Sequence, residues 1–132
     1  MIVVDASSIV KLLLKEPSWE DVGTYLKEEL CSVNSCVLEA TNAIWVHYHS
    51  KEITHGQALS FFKVLEKLQE TILLEAVEHY VGEGLKITLK EDISIYDAVF
   101  IAAAKDMGEL LTSDKLQRDI AINSGIKTFY IR

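Results

Sequence analysis

Short apolar runs alternate with amphipathic stretches along the chain, and this alternation leaves few folds open. The runs are Ile2 to Asp5, "CSVNS" (31–35), "TILLEA" (71–76), "ELLTS" (109–113) and "IKTFYI" (126–131). They are short and rich in branched residues, as expected of buried parallel strands. Between them lie helical segments: one over about Ser7 to Lys15, then "SWEDVGTYLKEEL" with Pro17 suited to its first turn, then "CVLEATNAIWVHYHS" and "THGQALSFFKVLEKLQ". "SIYDAVFIAAAKDMG" is a mostly apolar helix closed by Gly108, and "DKLQRDIAINSG" closes on Gly125. "VEHYVGEGLKITLK" reads as helix, weakened by its two glycines. Strands regularly separated by helices require right-handed crossovers, which give an α/β fold: a parallel sheet with helices on both faces.

The chain has 132 residues and no repeat, low-complexity tract or Gly/Ser/Pro linker, so residues 1–132 are expected to form a single domain. There is no run of about 18 apolar residues and no basic-then-apolar leader, so a cytoplasmic protein without membrane association is expected. Cys31 and Cys36 fit neither zinc nor CxxC spacing and read as small buried residues rather than a bridge. The formal net charge is −7, which excludes nucleic-acid binding through a broad basic face, although cations gathered by clustered acids could still draw in phosphate.

Such sheets bind ligands beyond the carboxyl ends of their strands. Asp5 ends the first strand, behind Ile2, Val3 and Val4, where a carboxylate is unfavourable unless hydrogen-bonded, paired or metal-bound. Asp114 follows "ELLTS" at the same edge, while Glu39 and Asp97 lie in the first turns of helices among apolar neighbours. Each also has a structural reading: Asp5 and Asp114 as helix caps, Ser94 and Asp97 as a capping box, and Glu39 at the positive end of a helix dipole. Four acids that can meet at one rim point instead to a shared site. Carboxylates without His or Cys select hard cations such as Mg²⁺ or Mn²⁺, the usual companions of phosphate groups. His47, His49, His55 and His79 lie away from that rim, and no P-loop, GxGxxG or GxSxG motif is present.

With these residues in place, the chain resembles the PIN-domain ribonucleases, most closely the VapC-type toxins. The likeness rests on "IVVDASSIVKLLLKE", "VLEATNAIW", "SIYDAVFIAAAK" and "LLTSDKLQRDIA", in that order. The resemblance implies a three-layer α/β/α sandwich whose five-stranded parallel sheet runs in the order 3-2-1-4-5. It implies hydrolysis of RNA by metal-activated water, with Asp5, Glu39, Asp97 and Asp114 holding one or two Mg²⁺ or Mn²⁺ ions and no protein general base required. Ser7, Asn42, Thr112 and Ser113 fall where the family often carries supporting polar residues. It also implies a homodimer and a VapB-like antitoxin whose C-terminal segment wraps the toxin and often places an Arg in the acidic pocket. Trp45, Tyr48, Phe61 and Phe62 are the residues expected to contribute to the dimer contact.

Two other classes fit the sequence less well. A phosphatase of the haloacid-dehalogenase type needs a second Asp two residues after the first, where this chain has Ser7, and a receiver domain needs an acidic pair that is absent beside Lys127. A PIN-like scaffold that binds without catalysing would not be expected to carry all four acids.

Overall fold

The computed structural model describes residues Met1–Arg132. Five strands, β1 (Ile2–Val4), β2 (Leu30–Val33), β3 (Leu73–Glu75), β4 (Glu109–Thr112) and β5 (Lys127–Tyr130), form one parallel sheet in the order β3-β2-β1-β4-β5. The chain order reverses beside β1, which pairs with both β2 and β4 through Ile2↔Leu30 and Val4↔Leu111. The switch point therefore falls at Asp5, immediately after β1.

Seven helices flank the sheet: α1 (Ala6–Leu13), α2 (Trp19–Gly23), α3 (Ser35–His49), α4 (His55–Thr71), α5 (Val81–Glu91), α6 (Ile95–Met107) and α7 (Lys115–Asn123). Their principal contacts sort them into two layers. In one, α1 packs on α2, α3 and α4; in the other, α6 lies against β1, β2 and β4 and touches α5 and α7. α6 is the central element, with every residue from Ala98 to Ala104 buried, as befits a helix apolar on all sides. No helix is long and apolar enough to cross a membrane.

The "VEHYVGEGLKITLK" segment is a 3₁₀ turn (Val77–His79) followed by α5. Gly84 serves packing: a Cβ there would stand 3.0 Å from Ile95 Cδ1 and 3.3 Å from Val99 Cγ1, so the missing side chain lets α5 approach α6. The second predicted helix is shorter than its pattern suggested. It begins at Trp19, after Ser18 in the left-handed region (φ 72°) rather than at Pro17, and tightens into a 3₁₀ turn over Thr24–Lys27. Leu30, which the pattern placed in that helix, joins β2 opposite Ile2, because burial in the sheet outweighs a frayed helical end. Cys31 and Cys36 are buried and free, and burial pushes both thiols up to about 11, which leaves them unreactive at neutral pH.

Candidate active site

The fold places few polar side chains in its interior, and they gather at one place. The buried polar residues are Asp5, Ser8, Ser32, Thr112 and Gln117, and all but Ser32 belong to a hydrogen-bond network at the carboxyl ends of β1 and β4. Asp5 is 0% exposed and caps α1 by accepting from the Ser8 amide at 3.0 Å. The Thr112 hydroxyl donates to it at 2.6 Å, and the Ser7 hydroxyl lies 2.8 Å from each of its oxygens. The second strand is tied into the same network: the Ser113 amide donates to Ser7 Oγ at 3.0 Å and the Asp114 amide to Thr112 Oγ1 at 3.0 Å. Three of the polar residues expected to support the site, Ser7, Thr112 and Ser113, thus hold Asp5 and Asp114 in register. Asn42, the fourth, is exposed on α3 and lies outside the recess.

A recess of roughly 350 Å³ opens above this network, walled by Glu39, Asp97 and Asp114 and bordered by Ser7, Lys11 and Gln117. Asp5 lies behind Ser7, out of reach of solvent. Asp114 caps α7, accepting from the Gln117 amide at 2.8 Å. Ser94 caps α6 by accepting from the Asp97 amide at 3.3 Å. That is half of the predicted capping box: the Asp97 carboxylate takes a bond from Gln117 Nε2 at 3.2 Å. Glu39 Oε2 is buried with no hydrogen-bond partner. A cap explains the backbone contacts of Asp5, Asp97 and Asp114, but it does not explain why Glu39, Asp97 and Asp114 line one recess with Asp5 beneath it.

Their electrostatics show the strain of that arrangement. Burial, aided by the Asp114 charge, raises the Asp5 carboxyl from an ordinary 3.8 to about 6, even against the hydrogen bonds from Thr112, Ser8 and Ser7. Burial and then the charges of Asp97 and Asp5 raise Glu39 from 4.5 to about 7. Burial and Asp114 also raise Asp97, offset in part by its side-chain hydrogen bonds with Ser94 and Gln117. These are the two signatures of carboxylates crowded without a counter-charge, desolvation and like-charge repulsion. No three carboxylates, imidazoles or thiols stand close enough to enclose an ion as they are. The donors present are all oxygens, and Glu39 carries an unpartnered buried one, a set that suits Mg²⁺ or Mn²⁺.

A pH dependence follows. A carboxyl whose folded pKa exceeds its unfolded one contributes stability at low pH that is lost as pH rises through the folded value. In chelator, the melting temperature is therefore expected to fall between about pH 5 and about pH 8, the window set by Asp5 and Glu39, and to fall less in Glu39→Gln. Thermal unfolding across that range checks this; a profile that is flat or rising, or unaffected by Glu39→Gln, would contradict it.

The sequence pattern did not single out Gln117, Lys11 or Glu16. Gln117 lies within the "LLTSDKLQRDIA" stretch, but nothing in the pattern marks it there, and only the convergence of α6 with α7 makes it a site residue. None of the four histidines lines the recess; His47 instead contacts Glu52 at 2.5 Å and Glu16 at 3.9 Å. A larger recess of roughly 610 Å³ lies at Glu75, His79, Tyr80 and Asp106, where Tyr80 donates to Asp106 at 3.2 Å and Lys105 pairs with Glu83 at 3.3 Å.

Comparison with known proteins gives a consistent result. The family model of the PIN domain matches residues 2–123. Ribonuclease VapC3 of Pyrobaculum aerophilum is 25% identical over 117 residues, covering 86% of this chain and 89% of that protein. Among solved structures, PAE2754 from Pyrobaculum aerophilum superposes with a TM-score of 0.72 at 20% identity, over 96% of this chain and 82% of that one. FitAcB from Neisseria gonorrhoeae superposes with a TM-score of 0.67 at 17% identity, over 98% and 96% respectively. At those identities the two structures bear on the fold alone.

Proposed function

Because the chain belongs to the PIN-domain family, we propose that it is a metal-dependent endoribonuclease, the VapC-type toxin of a toxin–antitoxin pair. Hydrolysis of RNA phosphodiester bonds would take place in the recess of Asp5, Glu39, Asp97 and Asp114. The observation that carries this reading is the convergence of Glu39, Asp97 and Asp114 on one recess above the buried Asp5, with Glu39 Oε2 left without a partner and burial raising Asp5, Glu39 and Asp97. Fixed groups that repel one another are kept where a cation is to be bound. The name of the VapC3 relative supports RNA as substrate.

Glu39, Asp97 and Asp114 are the residues proposed to hold Mg²⁺ or Mn²⁺ from the recess walls, with Asp5 beneath them and Ser7, Thr112 and Ser113 fixing their backbone. A bound ion would supply acidified water and neutralise charge on the phosphate. The protein's own part is orientation and exclusion of water: the Thr112–Asp5 and Ser7–Asp5 bonds lock the first acid, and the apolar α6 behind Asp97 keeps the floor dry. Lys11, the cation bordering the recess, donates to the carbonyls of Pro17 and Arg132 at 3.0 and 3.4 Å and pairs with no acid, so its charge remains available to phosphate.

Incubation of single-stranded RNA with the purified protein tests the reading: cleavage with millimolar Mn²⁺ and none in excess EDTA is expected. Cleavage that persists in EDTA would reject metal dependence. A protein that binds RNA or a partner but never cleaves, under any divalent ion, would favour the scaffold reading, which draws on the wide spacing of the acids.

The proposed partners are RNA, a VapB-like antitoxin and a second copy of the chain, all met in the cytoplasm. An antitoxin Arg would match the carboxylate walls of the recess. Of the aromatics expected at the dimer contact, Trp45, Tyr48 and Phe62 are exposed along an apolar groove between α3 and α4, while Phe61 turns inward against the core. Light scattering is expected to give close to twice the 14.8 kDa chain mass, with Trp45→Lys shifting it toward one. A monomer at high concentration would end that proposal.

A further inference from the structure

Gln117 is 3% exposed, yet its amide is only half satisfied: Nε2 donates to Asp97 Oδ1 at 3.2 Å, while Oε1 is buried without a partner. Its backbone amide meanwhile donates to Asp114 Oδ1 at 2.8 Å, so one residue reaches the acid on α6 and the acid that caps α7. Core packing does not explain the choice. Met or Leu would fill a similar volume without burying an unpaired acceptor, and a buried acceptor left unpaired is unfavourable. What neither could do is donate to a carboxylate. The amide's orientation is fixed by the same logic, since turning it over would set Oε1 against an Asp97 oxygen.

We infer that Gln117 is the positioning residue of the acidic site, holding the Asp97 carboxylate against the recess wall while its own oxygen goes without a donor. Ser94 accepts from the Asp97 backbone amide and its side chain also steadies the Asp97 carboxylate locally, whereas Gln117 is the contact that reaches that carboxylate from another helix. Without Gln117 the carboxylate would keep only its local contact with Ser94, and the wall between α6 and α7 would lose the bond that crosses it. Partners that orient a metal-ligating group typically change metal affinity when removed, even though they touch no metal. The inference rests on Asp97 being a metal ligand, as proposed above.

The test is Gln117→Met, alone and combined with Asp97→Asn, read by melting temperature against Mn²⁺ concentration and by steady-state RNA cleavage. In EDTA the single variant is expected to melt at or above the wild type, because the orphaned acceptor is gone. The Mn²⁺ concentration giving half the thermal response should rise about 10-fold or more. kcat should fall by a similar factor while KM for RNA stays unchanged. In the Asp97→Asn background the substitution should add nothing to the Mn²⁺ response, since residues acting through one another are not additive. A Gln117→Met protein with wild-type Mn²⁺ response and kcat would overturn the inference, as would an undiminished effect in the Asp97→Asn background. Gln117→Leu gives the same readouts should Met disturb the fold. If the wild type itself neither responds to Mn²⁺ nor cleaves RNA, the ribonuclease proposal fails, and this inference with it; a responsive wild type with an indifferent Gln117→Met overturns the inference alone.

Discussion

Asp97→Asn is expected to lower RNA cleavage by about 10² or more while leaving the metal-free fold intact or firmer. Asparagine keeps the shape of aspartate and an oxygen that can accept from Gln117 Nε2, and the bond from the Asp97 backbone amide to Ser94 is kept. What is lost is the charge. Removing that charge from a cluster where Glu39 feels Asp97 and Asp97 feels Asp114 relieves repulsion, so stability in EDTA should hold or increase. Paired measurements of cleavage rate and melting temperature separate this outcome from a capping role, which predicts intact cleavage. An Asp97→Asn protein that remains active and metal-dependent would dismantle the four-acid site.

Phe100→Ala is expected to produce the largest loss of stability, about 3–5 kcal/mol, the usual range for truncating a buried aromatic. Phe100 is 0% exposed and lies one turn beyond Asp97, within the wholly buried Ala98–Ala104 stretch of α6. Since domains of this kind are stable by only about 5–15 kcal/mol, the change removes a large share of the total. Urea unfolding measures it, and a loss below about 1 kcal/mol would mean that α6 is not the core element described here. Because Asp97 rides on this helix, cleavage is expected to weaken as well, even at temperatures where Phe100→Ala remains folded.

The parts of this fold legible in the sequence are those fixed by local pattern. Ile2 to Val4 and "ELLT" announce buried parallel strands, and an acid at the end of each run places Asp5 and Asp114 at one edge before any pairing is known. The apolar "AVFIAAA" of α6 can only be interior. Where the pattern misled, two local preferences competed and a tertiary contact decided. Leu30 continues the helical spacing of the segment before it but finds Ile2 across the sheet. Gly84 reads as a helix breaker and is instead the contact point of α5 with α6. Leu38 is apolar but 76% exposed, because Cys36, Ala40 and Ile44 make the buried side of α3. Asn42 has the composition of a site residue but faces solvent. Gln117 lies in the "LLTSDKLQRDIA" motif but is not marked within it, and its importance arises only because α6 and α7 pack together and bring it beside Asp97.

The central claim is that Asp5, Glu39, Asp97 and Asp114 form one site for a divalent cation. Its most direct test is the melting temperature of the metal-free protein as Mn²⁺ is titrated in. Ions that bind the folded state alone raise stability by mass action, by about 2.7 kcal/mol at a hundredfold excess over Kd. The account predicts a clear, saturable rise for the wild type and a much smaller one for Asp97→Asn and for Glu39→Gln. A melting temperature indifferent to millimolar Mn²⁺, or a rise that survives both substitutions unchanged, would contradict it.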